Sequence, residues 1–287
     1  MKILITGING QVGHALMRAL TNHELIGLTR QDCDLTNLDQ IRQVIDNHQP
    51  ELIINTAAYT KVDQAEDEPE LAFQINRDAP RVMAEKAHEY DIPIIHFSTD
   101  YVFDGQKELP YTEEDLPNPL GIYGQSKLAG EEAIKEVNGK YYIFRTSWVY
   151  SGMGHNFYLN IQRIIREQNE LKVVNDQLGA PTSSLFIAKQ IKKIIPKLSG
   201  ENRGIYHLVP NGSCTWFDFA RVILNESMPD HSEKKIIPVT SDQYPTMAKR
   251  PSNSCLSNNK IQKAVMVEFD DWKEEFYDFL ENSIKNY

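Results

Sequence analysis

Tyr123 and Lys127 stand four residues apart in the stretch YGQSKLAGE (123–131). Four residues is one helical turn, so both side chains project from the same face. A lysine ammonium beside a phenol favours the phenolate and lowers the tyrosine pKa. The pair is therefore a candidate proton donor; an ordinary surface pair has the same spacing. A second group of reactive types lies upstream in HFSTDYVFDG (96–105), with hydroxyls at Ser98 and Thr99 and then the carboxyl of Asp100. A hydroxyl can hydrogen-bond a carbonyl oxygen, a tyrosine can give that oxygen a proton, and a lysine can tune the tyrosine and hold a ribose. Asp100 reads equally as a loop carboxylate or a helix cap.

A third stretch, TGINGQVG (6–13), carries Gly7, Gly10 and Gly13 between a short apolar run and a helical pattern. Glycines there permit a tight turn, close approach of a pyrophosphate to the backbone, and close helix–strand packing. The helix N-terminus then offers N–H groups to phosphates. The spacing is GxxGxxG rather than GxGxxG, and a ligand-free glycine turn is the alternative. The second apolar run ends at Thr29 and Arg30, followed by Asp32 and Asp34. An acidic residue at this place binds ribose hydroxyls and a basic one accommodates a 2′-phosphate. Arg30 thus favours NADPH, with NADH the alternative, and Asp34 with Leu35 borders the adenine. Arg30 as a solvated loop residue is the competing reading. NTAAYT (55–60) ends the third apolar run in small residues that leave room for a ligand or for a packed helix.

These groups need a scaffold that brings strand ends together. Apolar strands are expected at 2–6, 23–29, 51–58, 92–99 and 140–150, alternating with helices at 10–20, 38–48, 69–90 and 123–137. Fully apolar strands between helices indicate a parallel sheet covered on both faces. The fold class is α/β, a doubly wound parallel sheet of Rossmann type. After residue 150 prolines and turn residues scatter, with helices expected at 156–168, 183–198, 215–227 and 271–284. The expected division is a dinucleotide-binding domain over 1–150, joined by 183–198, and a smaller mixed α/β substrate lobe over 151–182 and 199–287.

The 287 residues carry a formal net charge of -10, which argues against a general nucleic-acid or membrane-surface binder. Cys33, Cys214 and Cys255 are far apart and form no CxxC, so neither a disulfide framework nor a cysteine zinc site is indicated, and a reducing cytoplasm is the expected setting. The eight histidines do not cluster and no HExxH occurs, so no metal is expected. His96, inside an apolar run, reads as a structural hydrogen-bonded histidine. No apolar run approaches membrane-spanning length.

TGxxGxxG, STDYVFDG and YGQSKLAGE in this order resemble the extended short-chain dehydrogenase/reductase family. The likeness continues through RTSWVYSGMGHNF (145–157), VVNDQLGAPTS (173–183), GIYHLV (204–209) and KRPSNSCL (249–256), and so covers almost the whole chain. Within the family it resembles the branch that reduces the C4 ketone of dTDP-4-dehydro-6-deoxy-L-mannose to dTDP-L-rhamnose. The resemblance implies that Thr99 orients the ketone, Tyr123 is the general acid, and Lys127 lowers the Tyr123 pKa and contacts the cofactor ribose. It implies that Gly10, Gln11 and Val12 line the pyrophosphate, with Asp34, Leu35, Ala57, Ala58 and Tyr59 along the cofactor. Asp100 and Trp148 are implied at the sugar, and Asn156, Gln177 and Arg250 at the nucleotide end. A guanidinium suits a diphosphate, with a surface ion pair as the alternative for Arg250 and core filling as that for Trp148. A homodimer is also implied. Nucleotide-sugar 4,6-dehydratases carry Thr-Asp-Glu, whereas this chain has Thr99-Asp100-Tyr101, which argues against dehydration. A 4-epimerase and a non-catalytic subunit, like the regulatory subunit of methionine adenosyltransferase, remain as alternatives.

Overall fold

The computed structural model describes residues 1–284, with side chains through residue 282. The chain runs β1 (Lys2–Thr6), α1 (Gln11–Ala19), β2 (Glu24–Leu28), α2 (Leu38–His48), β3 (Leu52–Asn55), α3 (Pro69–Phe73), α4 (Ala79–Glu89), β4 (Pro93–Thr99), α5 (Ile122–Val137) and β5 (Lys140–Thr146). It continues through β6 (Val149–Tyr150), α6 (Phe157–Glu167), β7 (Glu170–Val174), β8 (Leu178–Gly179), β9 (Thr182–Ser183), α7 (Ser184–Ile194), β10 (Gly204–His207), β11 (Cys214–Thr215), α8 (Trp216–Val222), β12 (Lys235–Val239), α9 (Asn259–Val265) and α10 (Trp272–Ile284).

Six strands form one parallel sheet in the order β2-β1-β3-β4-β5-β10. Alternate residues of each strand serve opposite faces. Ile3, Ile5, Ile95, Phe97 and Phe144 pack with Leu16 of α1 and Phe186 and Ile187 of α7. Leu4, Ile53, Ile94 and Ile143 pack with Ile41 and Ile45 of α2, Met83 of α4 and Ile134 of α5. The order reverses between β1 and β3, and ligands of such sheets bind where the carboxyl ends open at that reversal. The smaller lobe has its own aromatic core of Tyr150, Tyr158, Phe219, Trp272, Phe276 and Phe279, beside the parallel pair β7–β12.

Three features depart from expectation. The helix expected over 69–90 carries a π turn at Gln74–Asp78, between α3 and α4. Pro80, in the first turn of α4, has no N–H for the Asn76 carbonyl, so the regular ladder cannot run through. The strand expected over 140–150 breaks at Trp148, whose φ of 46° turns β6 away to pair with β9. Residues 204–207, expected in the smaller lobe, instead extend the main sheet as β10 on β5. Tyr206 then joins one core face, and Ile261 and Val265 of α9 pack on the same face. Among the described residues no helix is long and apolar enough to cross a membrane.

Candidate active site

The glycine turn lies at the reversal point. Gly7 holds φ 72°, donates its N–H to Leu28 O at 2.8 Å, and passes so close to β3 that a Cβ would stand 2.9 Å from Ala57. A Cβ on Gly13 would stand 2.4 Å from Gly7 O and 2.8 Å from Thr56 Oγ1. Gly10 caps α1 without a side-chain hydrogen bond, leaving the first-turn N–H groups to whatever sits before the helix. A cradle that admits no Cβ, in front of an uncapped helix N-terminus, fits a dinucleotide pyrophosphate. Gln11 and Val12 follow in the first turn. Gln11 Oε1 accepts from Ser151 Oγ and Asn156 Nδ2, both at 2.8 Å, and ties the cradle to the smaller lobe.

Beyond β2, Arg30 is exposed and lies 3.6 Å from Asp34. Asp34 accepts from Thr36 N and Oγ1, and these bonds lead in holding its carboxyl below the usual range, with Arg30 adding to them. Leu35 turns its side chain into the core. Ala57 and Ala58 are half-buried at the end of β3. Tyr59 is fixed by Asn76, whose Oδ1 accepts its N–H at 2.9 Å, while its hydroxyl donates to Glu68 at 2.7 Å.

The chemical end forms where β4 meets the start of α5. Glu66 Oε1 accepts the Ile122 N–H at 2.8 Å, so α5 begins with a carboxylate at its positive end. The small residues of YGQSKLAGE are there because α5 packs on backbone. A Cβ on Gly124 would lie 2.2 Å from Tyr101 O, and one on Gly130 would lie 2.0 Å from Asn76 O. This close seat sets Tyr123 beside Thr99, whose hydroxyl offsets part of the effect of burial on the phenol. Thr99 also accepts from Tyr101 N at 3.1 Å and donates to Asp100 Oδ1 at 3.0 Å.

Asp100 is 2% exposed and its Oδ2 has no hydrogen-bond partner. Ser254 lies beside it but directs its hydroxyl to Leu178 O at 3.3 Å. Burial raises the Asp100 carboxyl to about 7. Tyr101 stands edge-on to Tyr123, 6.0 Å between centroids, where a dehydratase would need an acid.

Lys127 departs from expectation. Its Nζ donates to Phe97 O at 2.6 Å and lies 3.2 Å from His96 Nε2. Burial raises the Tyr123 phenol to about 12, and Lys127 is not among the groups acting on it. The contact that would carry the lowering implied by the spacing is not made: Lys127 Nζ is turned to His96 and Phe97 O. Burial lowers Lys127 itself to about 8.

Four further residues occupy other positions. Trp148 stacks on Trp216 at 3.5 Å between centroids and leaves no room for a Cβ on Gly179. Asn156 caps α6 through Leu159 N, and its amide serves Gln11, Ser151 and Met153. Gln177 donates to Ser241 Oγ at 2.9 Å. Arg250 grips Asp63 at 2.7 and 3.2 Å beside Tyr101, so it braces the wall behind Tyr123. Sequence reasoning missed Asn55, Asn76, Glu131 and Arg145. Glu131 and Arg145 form a buried two-point ion pair at 2.6 and 2.9 Å, and Ser98 donates to the same carboxylate. An acid and a base in otherwise small or apolar runs are the signal that could have found them.

The family model described as the RmlD substrate binding domain matches residues 1–284. A dTDP-4-dehydrorhamnose reductase of Sinorhizobium fredii is 39% identical over 282 residues, covering 96% of this chain and 95% of its own. One from Escherichia coli K12 is 40% identical over 283 residues, covering 95% of each. The crystal structure of a dTDP-4-dehydrorhamnose reductase from Bacillus anthracis, in complex with NADP, superposes with a TM-score of 0.92 at 36% identity, covering 98% of this chain and 99% of its own.

Proposed function

This chain belongs to the RmlD family of dTDP-4-dehydrorhamnose reductases, and from that premise we propose the part each residue plays. The chain is an NADPH-dependent oxidoreductase that reduces the C4 ketone of dTDP-4-dehydro-6-deoxy-L-mannose to dTDP-L-rhamnose. The observation that carries the assignment of roles is the placement of Tyr123 beside Thr99 at the carboxyl edge that also holds the glycine cradle.

Gly7, Gly10, Gln11, Val12 and Gly13 would hold the pyrophosphate. Arg30 and Asp34 would take the adenosine end, with Leu35, Ala57, Ala58 and Tyr59 alongside. Bound there, the nicotinamide supplies a hydride to C4. Thr99 hydrogen-bonds the ketone oxygen and orients it. Tyr123 gives that oxygen its hydroxyl proton; burial keeps the phenol protonated at neutral pH, so the proton is present to give. The phenolate left behind lies one helical turn from Lys127. Asp100 and Trp148 face the sugar in this reading, with Asn156, Gln177 and Arg250 supporting the nucleotide end through the contacts that fix them. The dinucleotide domain comprises 1–150 with 183–198, extended by β10 and α9, and the rest forms the substrate lobe.

A cytoplasmic homodimer completes the reading. Three buried free cysteines support a reducing compartment, and Leu109 and Leu116, 70% and 90% exposed on one loop, support a covered surface. Light scattering tests the dimer. NADPH absorbance followed with enzymatically generated dTDP-4-dehydro-6-deoxy-L-mannose tests the reaction. Oxidation with dTDP-L-rhamnose as product is expected. Sugar interconversion without net oxidation would mean a 4-epimerase, and cofactor binding without turnover would mean a binding subunit.

A further inference from the structure

Thr6 of β1, Asn55 of β3, His96 of β4 and Lys127 of α5 close one chain of hydrogen bonds beneath the site, and each is at most 2% exposed. Thr6 Oγ1 donates to Asn55 Oδ1 at 2.7 Å, and Ala57 N donates to the same oxygen at 3.2 Å. Asn55 Nδ2 lies 3.0 Å from His96 Nδ1, and His96 Nε2 lies 3.2 Å from Lys127 Nζ. Lys127 Nζ also donates to Phe97 O at 2.6 Å.

The proton positions follow by elimination. A backbone N–H can only donate, so the Ala57 contact fixes which end of the Asn55 amide is oxygen. Its nitrogen therefore faces His96, and an amide nitrogen also only donates. His96 Nδ1 must then be the bare, accepting nitrogen, and the ring proton sits on Nε2. That proton points at Lys127 Nζ. An ammonium has three donors and no acceptor, so a charged Lys127 would meet His96 donor to donor. A neutral amine meets both neighbours correctly: its lone pair accepts from Nε2–H and one of its hydrogens goes to Phe97 O.

We propose that, at alkaline pH, His96, locked in its Nε2–H form by Asn55, holds Lys127 as a neutral amine before the dinucleotide binds, and that Lys127 gains a proton when the anionic dinucleotide binds. His96 is a positioning residue that acts through Lys127. Burial pushes both groups in the direction this requires, His96 well below 6.5 and Lys127 down to about 8. Few other charges face Lys127. Glu131, one turn on, favours the ammonium but less than burial opposes it, and its carboxylate is held by Arg145 of β5 and Ser98 of β4. Tyr123 lies one turn back on α5, and Asp100 follows β4; neither forms a hydrogen bond or ion pair with Lys127. Glu66 is turned to the start of α5, and Asn76 and Ser126 are neutral. The pyrophosphate and 2′-phosphate bring several negative charges to the same edge, which favours the ammonium. At alkaline pH the device thus supplies a cation one helical turn from Tyr123 only in the loaded enzyme.

This rests on the dinucleotide reading given above, so the test has one arm without cofactor. In the full-length protein, ¹⁵N NMR of the ring of His96, assigned with His96→Gln, is expected to show protonated Nε2 and bare Nδ1 at pH 9; the opposite tautomer overturns the proposal. Calorimetric titration with NADPH at pH 9, in two buffers of different ionisation enthalpy, is expected to show uptake of about one proton, falling towards zero at pH 6.5 where Lys127 is already charged. His96→Gln, whose amide can turn its oxygen to an ammonium, and Lys127→Met should each abolish the pH 9 uptake while NADPH still binds. No uptake by the unaltered protein at pH 9, or uptake unchanged in Lys127→Met, refutes the proposal. Failure of NADPH to bind at all would instead refute the dinucleotide reading, leaving the tautomer measurement to decide this one.

Discussion

Asp100 gives the pH dependence of stability a specific source. Its carboxyl is buried, one oxygen lacks a partner, and its folded pKa is raised from 3.8 to about 7. A raised carboxyl means the folded state prefers the proton. The charged form therefore costs stability, and the cost grows as pH rises from about 4 through 7, then levels off. Each pK unit is worth about 1.4 kcal/mol, and roughly two of the three units fall between pH 5 and pH 8. The loss over that window is thus about 2.6 kcal/mol. For a chain of this size that is a shift in Tm of about 5 °C. Asn at this position keeps the shape and an acceptor for Thr99 but does not titrate. Urea denaturation of the unaltered protein and of Asp100→Asn at both pH values isolates the effect, because every other group titrates in both. The stability of the variant relative to the parent should rise by about 2–3 kcal/mol from pH 5 to pH 8. A relative stability that changes by less than about 0.5 kcal/mol would refute the reasoning, and would mean that water or a moved donor satisfies the charged carboxylate.

Gly13→Ala adds a Cβ 2.4 Å from Gly7 O, so NADPH affinity measured by fluorescence should fall at least roughly tenfold; unaltered affinity would show that the cradle is not under steric control. Arg30→Ala should weaken NADPH by roughly 10- to 100-fold, the worth of a charge-assisted hydrogen bond, and leave NADH little changed. Equal losses for the two cofactors would remove Arg30 from 2′-phosphate recognition. Glu131→Ala strands the buried Arg145, whose Nη1 already lacks a partner, and should cost about 3–5 kcal/mol in chemical denaturation. A cost under about 1 kcal/mol would mean that Arg145 finds another partner.

The sheet and most flanking helices were legible because buried parallel strands are continuous apolar runs and their helices carry a clear apolar stripe. The three departures each depend on a tertiary partner. Pro80 widens a helix whose neighbour, Gly130, packs directly on the Asn76 carbonyl. Trp148 leaves the strand to stack on Trp216, 68 residues away in the chain. GIYH at 204–207 is too short to announce a strand, and only the open edge of β5 explains it. In the site, the glycine cradle and the Thr99–Tyr123 pair follow from motif spacing. The actual station of Lys127 does not, because helical spacing places it on the Tyr123 face but says nothing of His96 and Phe97 O, which lie across on β4. Arg250 shows the same limit: its guanidinium looked free for a diphosphate, but Asp63 and the Ala248 carbonyl already hold it.

The central claim is that Tyr123 supplies the proton to the reduced ketone. Its most direct test is single-turnover reduction of dTDP-4-dehydro-6-deoxy-L-mannose by preloaded NADPH, comparing the parent chain with Tyr123→Phe. The ring and its packing against Tyr101 are kept, and only the hydroxyl is lost. A fall in rate of roughly 10²- to 10⁴-fold, with NADPH binding within a few-fold of the parent, is expected for removal of a general acid. A rate within about threefold of the parent at unchanged cofactor affinity would contradict the assignment and hand the proton to another group at the same edge.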